Sequence, residues 1–584
     1  MREIIHTIYD QTIGYYGSAT FLVLAVFAGV FLMLTESGRY KKIIIPSIVL
    51  VILILNPIAY KFILYKLRFW RLFWMLPCTL IIALTFGELL RKCDKSWKKL
   101  VFTFVMILVI ILSGRNVFDS VKISKNTNNY RLLQETVDVG ELMLQYEDKP
   151  KCILSGGLLT SIRLYNADIK PMYGRDVYNC ISNPSVIASL IFDEMERAHP
   201  NFDRILYHAR RLSYSFVVTT VAKPISEETL DKYGYSMLKE LDGYYVYYNG
   251  NLKEDENYKW SENKKGFFIL NKKGKKVKGK AVEVGGCWYY FNKNGFLIEG
   301  MDSDTVKNLQ PDDLIITQIG KDSYPKPSST YTIDDQKGHL IIVDGGNEDE
   351  YQTIMKTIRQ YGSKVDAWIL THPHSDHIGA FNKIYKEFVK NPKDKSKKVE
   401  IKKIYAIKLD SDYYHKVANS WDEIEYYDEF NKLVKKDKSL KYVKRGETYK
   451  VGDVEFKVYN TYTKKTKNIK TGSLPNAASM VFELFGKNES MLFLADMEQK
   501  ALKPMVKKYG DQLKADYVQA AHHGQNLKLD FYDTLDAGTV FLDASEWLRE
   551  GTEDHSAKEH LEYFEEKGMK VYTFATTPNV ITLK

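Results

Sequence analysis

Cysteine is scarce: the 584-residue chain has five, Cys78, Cys93, Cys152, Cys180 and Cys287. Their spacing excludes a cysteine-ligated metal site and their number a disulfide scaffold; Cys152 and Cys180 could pair in an oxidising compartment, which the sequence does not show. Phosphate-loop glycine spacing is also missing around Gly156-Gly157, which reads as a strand-to-helix turn. The long apolar runs near the N-terminus lack ionisable groups except Glu88, so they carry no transport site, and no small-residue cleavage site follows the first of them. What remains is ordinary on average, 45% hydrophobic and 27% charged, with a mean hydropathy of −0.30. That excludes a mainly disordered chain and a transporter occupying the whole length. At ~100–200 residues per domain, a single core is excluded as well.

The average conceals a split. Apolar stretches at 17–34, 43–60, 72–90 and 100–113 are separated by Arg and Lys, and the remainder is polar and rich in Lys and Tyr. A hydrocarbon core of about 30 Å needs roughly 20 helical residues, so residues 1–114 are expected to form a transmembrane segment of four helices, kinked at Pro46, Pro57 and Pro77. Arg39, Lys41 and Lys42, and then Arg91, Lys92, Lys95, Lys98 and Lys99, make the first and third loops the short basic ones. The positive-inside rule puts those loops in the cytoplasm and the C-terminal soluble portion outside, a multi-pass cell-membrane protein. Lys and Arg exceed Asp and Glu by 83 to 73, and the excess gathers at membrane-flanking loops and at 264–280. This distribution suits an anionic surface, membrane lipid or wall polymer, better than a nucleic-acid groove.

Residues 115–250 read as a small α/β domain: a helix over 130–146, a strand at 152–155, a helix through Tyr165, strands at 215–220 and 244–248, and a helix at 226–233. A repeat follows at 255–301. An offset of 21 superposes Phe267, Phe268, Ile269, Leu270, Asn271, Gly274 and Gly279 on Trp288, Tyr289, Tyr290, Phe291, Asn292, Gly295 and Gly300. Each copy is expected to be an aromatic strand, an Asn-x-x-Gly turn and a second short strand, which buries its aromatic face only by stacking on a neighbour. The run Gly286-Cys287-Trp288-Tyr289-Tyr290-Phe291-Asn292-x-x-Gly295 resembles the cell-wall-binding, choline-binding repeats of Gram-positive surface proteins. That resemblance implies aromatic cages for quaternary ammonium groups and a choline-bearing polymer or teichoic acid as partner. The first copy lacks the full aromatic set, which leaves a spacer as the other reading; both belong outside the cell.

From about residue 312 the pattern becomes short strands with polar clusters at their ends. Strands at 315–319 and 339–343 lead to Asp344-Gly345-Gly346. A strand at 366–370 leads to His372-Pro373-His374-Ser375-Asp376-His377. Three imidazoles and a carboxylate in six residues can fold around two adjacent metal ions. Strands at 490–495 and 516–521 end in Asp496 and in His522-His523, a carboxylate and imidazoles able to close such a site. The order Asp-Gly, His-x-His-x-Asp-His, Asp, His resembles the metallo-β-lactamase fold, an αββα sandwich, over 312–584. Within it, Asn476-x-x-Ser479 and His-His-Gly are most similar to the phosphorylcholine esterase domain of choline-binding surface proteins and the nuclease-like domain of competence DNA-channel proteins.

The resemblance implies that His372 and His374 ligate one divalent ion, and Asp376 and His377 the other. Asp496 would bridge them and His523 would complete the second site. His522 would face substrate, with Asp376 also serving catalysis; the order of His522 and His523 leans this way but stays open. Zinc is the first expectation for the metals and manganese the second. The family's third histidine on the first metal has no clear counterpart: His415 sits in a polar helical context, which leaves water, Asn476 or Glu498 to complete that site. Asp344 reads as a structural carboxylate, and His555 and His560 as solvated. The function implied is a membrane-anchored extracellular dimetal hydrolase that cleaves anionic phosphodiesters of teichoic-acid or phosphorylcholine type through a metal-bridged hydroxide. The alternatives are an extracellular nuclease-like enzyme acting on nucleic acid, and a non-catalytic wall-binding protein with a vestigial site.

Overall fold

The computed structural model describes residues 6, 8–10, 20–35, 39–62, 69–113, 127–174, 177, 185–320, 326–469, 471–552, 555–574 and 578–584. Cys180 lies outside them; Cys152 is a free, fully buried thiol. The chain divides into two compact units, Met1–Asn126 and Thr127–Lys584.

Helices in the first unit include Thr20–Thr35, Lys41–Leu55, Cys78–Lys92 and Ser96–Ser113, so each apolar stretch contains helix. By length and composition one segment among the described residues is able to cross a membrane, Leu72–Lys92 with 21 residues. The helices Thr20–Thr35 and Lys41–Leu55 have 16 and 15 residues, short of a full span. These two helices and Cys78–Lys92 pack through Ala25, Ala28, Leu32, Ile44 and Ile81, while Phe27, Leu34 and, on Ser96–Ser113, Phe104 and Ile111 face outward. Glu88 is buried at the helix end and paired with Arg91 at 3.1 Å.

The second unit opens with a five-stranded sheet in the spatial order Lys170–Pro171, Lys151–Leu154, Phe216–Thr220, Tyr244–Tyr248 and Ser236–Leu241. The helix expected from residue 130 begins at Gln134, and the helices Val186–Glu196 and Phe202–Arg211 and the strand Ser236–Leu241 are additions to the sequence reading. Two hairpins follow, and their register differs from expectation. The aromatic strand Gly266–Asn271 pairs with Tyr258–Asn263 before it, and Cys287–Phe291 with Lys280–Val284. The two-residue turns Lys264-Lys265 and Gly285-Gly286 close these ladders, whereas the Asn-x-x-Gly turns lead only to single bridges, Leu270 to Lys276 and Phe291 to Leu297. Two-residue loops match the strand twist; Asn271 and Asn292 instead spend their side-chain oxygens on backbone N–H groups of their own turns.

Strand alternation then divides the hairpin side chains. Phe267, Ile269, Tyr289 and Phe291 join the core of the preceding α/β sheet, and Tyr290, Ile298 and Met301 join that of the region that follows. The hairpins are thus wedged between two cores.

The C-terminal region is built on two seven-stranded sheets. The first runs Leu440–Tyr442, Ile404–Ala406, Ala367–Leu370, Leu340–Asp344, Thr330–Asp334, Leu314–Gln318, Asn579–Leu583. The second runs Thr448–Val451, Val454–Asn460, Val481–Phe485, Ser490–Phe493, Tyr517–Gln519, Thr539–Leu542, Lys570–Thr573. One cluster, with Tyr331, Ile341, Tyr405, Phe456, Phe482 and Phe541, fills the space between them. Two others cover the outer faces: Ile342, Trp368 and Phe381 under the helices Tyr351–Gln360 and Ser375–Ile384, and Leu492, Val518 and Met505 under Gln499–Tyr509. Strands buried on both faces must be apolar along their length, as residues 340–343 and 367–370 are, with Asp344 standing only at the carboxyl end of its strand. In each sheet a parallel half adjoins an antiparallel half. The carboxyl ends of the parallel strands carry Asp344 and the 372–377 loop from one sheet, and Asp496, His522-His523 and Asp543 from the other.

Candidate metal centre

Ala367–Leu370 is wholly buried and delivers an extended Thr371-His372-Pro373, after which the helix Ser375–Ile384 begins at once. The His372 and His374 rings therefore come from extended chain and Asp376 and His377 from a first helical turn. Gly379 makes this possible, because a Cβ there would stand 2.6 Å from the backbone nitrogen of Glu348. His372 Nε2 lies 3.2 Å from His374 Nδ1, and the His372 and His377 rings are 4.0 Å apart between centroids.

The other sheet brings Asp496 against this group. Its Oδ1 is 3.1 Å from His377 Nε2, and its Oδ2 is 3.5 Å from His523 Nε2, 3.7 Å from His372 Nε2 and 3.8 Å from His522 Nε2. Asp376 Oδ2 is 3.0 Å from His523 Nε2 and 3.8 Å from His377 Nε2. Asp344, Ala495, His522 and His523 all have positive φ, between 48° and 54°. Left-handed backbone at four non-glycine residues is costly, and its concentration at converging strand ends marks a site whose geometry the surrounding packing enforces.

Three of the rings are oriented from behind. His377 Nδ1 donates to Asp344 Oδ2 at 2.8 Å, and Asp344 also accepts from the Thr371 backbone N–H and hydroxyl. His523 Nδ1 donates to the Asp543 carbonyl at 3.0 Å. His374 Nε2 donates to Asp422 Oδ1 at 3.1 Å, and Ser473 Oγ donates to the same oxygen at 2.6 Å. With those protons placed, His374 Nδ1, His377 Nε2 and His523 Nε2 present lone pairs to one another and to two carboxylates. His377 Nε2 and Asp496 Oδ1 are buried without any hydrogen-bond donor.

Lone pairs facing carboxylates need a cation between them. Burial alone would lower the pKa of His523, yet Asp496 and Asp376 outweigh it and push it up to about 10. His377 is likewise raised well above the ordinary value against its burial, chiefly by Asp496 and Asp344. A proton bound so firmly marks a site of strong negative potential, and a divalent ion fits the same place. The ligand atoms form two groups sharing Asp496, one of Asp376, His377, Asp496 and His523 and one of His372, His374 and Asp496. All six expected ligand residues are thus brought together.

His522 stands apart from the buried set. Its side chain is 24% exposed, and burial lowers its pKa despite the pull of Asp496. The Asn526 amide approaches its Nδ1 at 3.5 Å. The ring lines a cavity of about 630 Å³ together with Asp376, Asp496, Asn476, Trp421 and Trp547. His415 is remote from it, exposed and paired with Asp428 at 3.0 Å. Glu498 accepts from the backbone N–H groups of Gly472 and Ser473, so its carboxylate is engaged in holding the cavity wall. Asn476 is 5% exposed, lines the cavity, and its Oδ1 has no hydrogen-bond partner. His560 corrects the solvated reading: it is 4% exposed, with its ring against Tyr532 and Phe564, because the helix Lys558–Glu566 turns that face inward. His555 is exposed and stands at the cavity. Sequence reasoning missed Asp422, a fully buried carboxylate in a turn where Asn419 and Asp422 cap each other and Glu423 has a φ of 42°.

Residues 323–544 match the Metallo-beta-lactamase superfamily. The C-terminal region carries a domain of that superfamily. A stretch of 54 residues, 9% of the chain, is 41% identical to hydroxyacylglutathione hydrolase of Serratia proteamaculans (strain 568), and the match spans 20% of that relative's length. Among solved structures, the metallo-beta-lactamase fold protein YhfI from Bacillus subtilis is 14% identical and aligns with 46% of this chain and 99% of its own, with a TM-score of 0.30. A diphosphatase of the PhnP family is 13% identical over 46% of this chain and 97% of its own, with a TM-score of 0.28.

Proposed function

We propose that this protein is a membrane-anchored, extracellular metallohydrolase that cleaves phosphodiesters of the teichoic-acid or phosphorylcholine-ester type. One observation carries the catalytic part: four imidazoles and two carboxylates converge at a cavity floor, with the lone pairs of His374, His377 and His523 turned inward and Asp496 shared by both groups.

His372, His374 and Asp496 would hold one divalent ion, and Asp376, His377, Asp496 and His523 the other, with Asn476 Oδ1 a further donor at the cavity wall. Bound ions, zinc first and manganese second, supply Lewis acidity and bring the acidity of water toward neutral pH. Asp376, anchored by His523, and Asp496 are the carboxylates placed to orient an attacking water and accept its proton. His522 is a neutral ring; with Asn526 donating to Nδ1, its Nε2–H is free to hydrogen-bond a phosphoryl oxygen. Helix Ser375–Ile384 and the strand ends hold these groups before substrate arrives, so little reorganisation accompanies reaction.

The cavity wall supports a diester with a compact cationic or apolar head. Trp421, Trp547, Glu423 and Glu498 all line it, and among the described lining residues Lys500 is the one lysine. Cation–π attraction and a carboxylate suit a quaternary ammonium head, whereas a nucleic-acid strand would meet two acidic side chains.

The apolar outer surface of the first unit, bare of charge at Phe27, Leu34, Phe104 and Ile111, supports membrane anchoring. The Lys and Arg flanks support a four-span arrangement with the soluble portion outside. The purified full chain, loaded with zinc or manganese, is assayed on a phosphorylcholine diester, a phosphomonoester, a lactone, a β-lactam and single-stranded DNA. Turnover of the diester above the rest is expected, and turnover of another class with the diester inert would refute the proposal.

A further inference from the structure

The hairpins hold aromatic faces, but their own chain fills them. The Arg211 guanidinium, on helix Phe202–Arg211, lies 4.7 Å from the Trp260 ring centre and 4.2 Å from that of Phe267. Lys276 Nζ lies 3.1 Å from the centre of Phe296 and 4.4 Å from that of Phe268. Tyr289 meets Trp260 edge-on at 5.0 Å and is 4% exposed. Trp288 packs against the core of the catalytic region. A quaternary ammonium ligand would have to displace a cation from Trp260, Phe267, Phe268 or Phe296 and packed rings from Tyr289 and Trp288, so these rings do not form an open cage.

The outer surface has the opposite chemistry. Residues 264–280 contain eight lysines and no Asp or Glu. Lys264, Lys265, Lys272, Lys273, Lys275 and Lys278 are exposed on turns, and among the described residues none has a carboxylate within ion-pairing distance. Elsewhere lysines find acids readily, as Lys337 does with Asp453 and Lys386 with Glu429. Burial and its neighbours Lys278 and Lys265 lower the Lys276 pKa to about 8, which reports a crowded positive field.

We propose that this lysine face of the hairpins is a docking surface for a base-free phosphodiester polymer, a polyol-phosphate chain, held apart from the catalytic cavity. Charge complementarity selects a polyanion. Single-stranded nucleic acid is disfavoured because its binding draws on free aromatic platforms, and the hairpin rings are occupied. A lipid surface is disfavoured because no large hydrophobic side chain between residues 255 and 301 is exposed to insert. The inference stands independently of turnover and is tested without it.

The probe is synthetic poly(glycerol phosphate), titrated onto the detergent-solubilised full chain in excess chelator. Binding that weakens steeply with salt is expected; six phosphate contacts would give roughly a 10³-fold loss between about 50 and 200 mM salt. Replacing the six exposed lysines by glutamine should cost at least about ten-fold in affinity and flatten the salt dependence, while turnover of a small soluble diester stays unchanged. Unchanged affinity in that variant, release by free choline, or equal affinity for an oligonucleotide or for anionic vesicles would overturn the proposal. If the six-fold variant folds poorly, the double variant Lys272→Gln/Lys273→Gln on one turn should still bind more weakly and lower the salt slope by about one to two, and an unchanged slope in it would overturn the proposal. Loss of diester turnover with docking intact would count against the proposed catalytic function alone.

Discussion

Replacing Asp422 by alanine tests whether His374 is held for metal by a residue 48 positions away. The carboxylate receives His374 Nε2 at 3.1 Å, Ser473 Oγ at 2.6 Å and the Asn419 N–H at 2.7 Å. Without it the His374 ring loses its fixed proton position, and its Nδ1 lone pair is no longer pinned beside His372 Nε2. A hydrogen bond to a charged group contributes about 1.5–3 kcal/mol, and loss of such a partner behind a metal-binding histidine typically weakens affinity about 10–100-fold. The two figures agree, since a factor of ten is about 1.4 kcal/mol. Zinc titration against a chromophoric chelator should therefore show one of two binding steps weakened about 10–100-fold. The other should be unchanged, because Asp344 and the Asp543 carbonyl still orient His377 and His523. Asp422→Asn, which keeps an acceptor oxygen, should fall between. Asn419→Ala removes the reciprocal cap but leaves the carboxylate, and should lower stability by about 1 kcal/mol with metal affinity intact. A folded Asp422→Ala protein that binds both ions as tightly as the wild type would refute the positioning role, as would equal metal loss in Asn419→Ala.

Asp496→Asn should lower kcat about 10²–10³-fold and reduce metal content; undiminished diester turnover at full metal load would exclude a mechanism built on the shared carboxylate. His523→Ala should lose one ion and His522→Ala should keep both while turning over more slowly, and the reverse metal contents would exchange the two roles. Burial holds His560 neutral, with its pKa lowered from 6.5 to about 4, and burial followed by the nearby Arg211 charge does the same for His208. The unfolded chain binds these protons first, so stability is complete above about pH 6.5 and falls as the pH drops toward 4. Each residue contributes on the order of 3 kcal/mol over that window, and a pH–Tm series should show His560→Leu with a shallower acid limb. For topology, Lys273→Cys in a background lacking the native thiols should react with an impermeant maleimide on intact cells; labelling confined to lysed cells would place the C-terminal region inside.

The candidate metal centre was legible in sequence to the degree that its parts are local. His372, His374, Asp376 and His377 lie within six residues and follow an apolar strand, so their convergence needs only one strand end and one helical turn. Asp496 and His523 were legible because each ends a buried strand, and parallel strands in a sandwich deliver their carboxyl ends to one edge. Asp422 belongs to no strand and no motif. Its place depends on a left-handed Glu423 and a reciprocal cap, features that sequence periodicity does not express. His560 was misread for a related reason: its helix is charged on average, and one inward position on such a helix is visible only once the packing of Phe564 and Tyr532 is known.

The hairpins show the same limit from the other side. Their repeat announces itself in composition, and the aromatic run Trp288-Tyr289-Tyr290-Phe291 reads equally well as a cage or as a core. Period-two alternation decides how those rings are shared: Tyr289 and Phe291 serve one core and Tyr290 the other. A cage needs adjacent aromatic faces left open, whereas a wedge between two cores consumes them. Once the rings are consumed, the exposed positions left to the repeat are turns, and in the first copy those turns are filled with lysine. The sequence feature that distinguishes the two fates is therefore the charge of the turn residues rather than the number of aromatics. A repeat that serves as a wedge can exchange its turn lysines without loss of stability, while exchange of Arg211, buried between Trp260 and Phe267, disturbs the wedge itself.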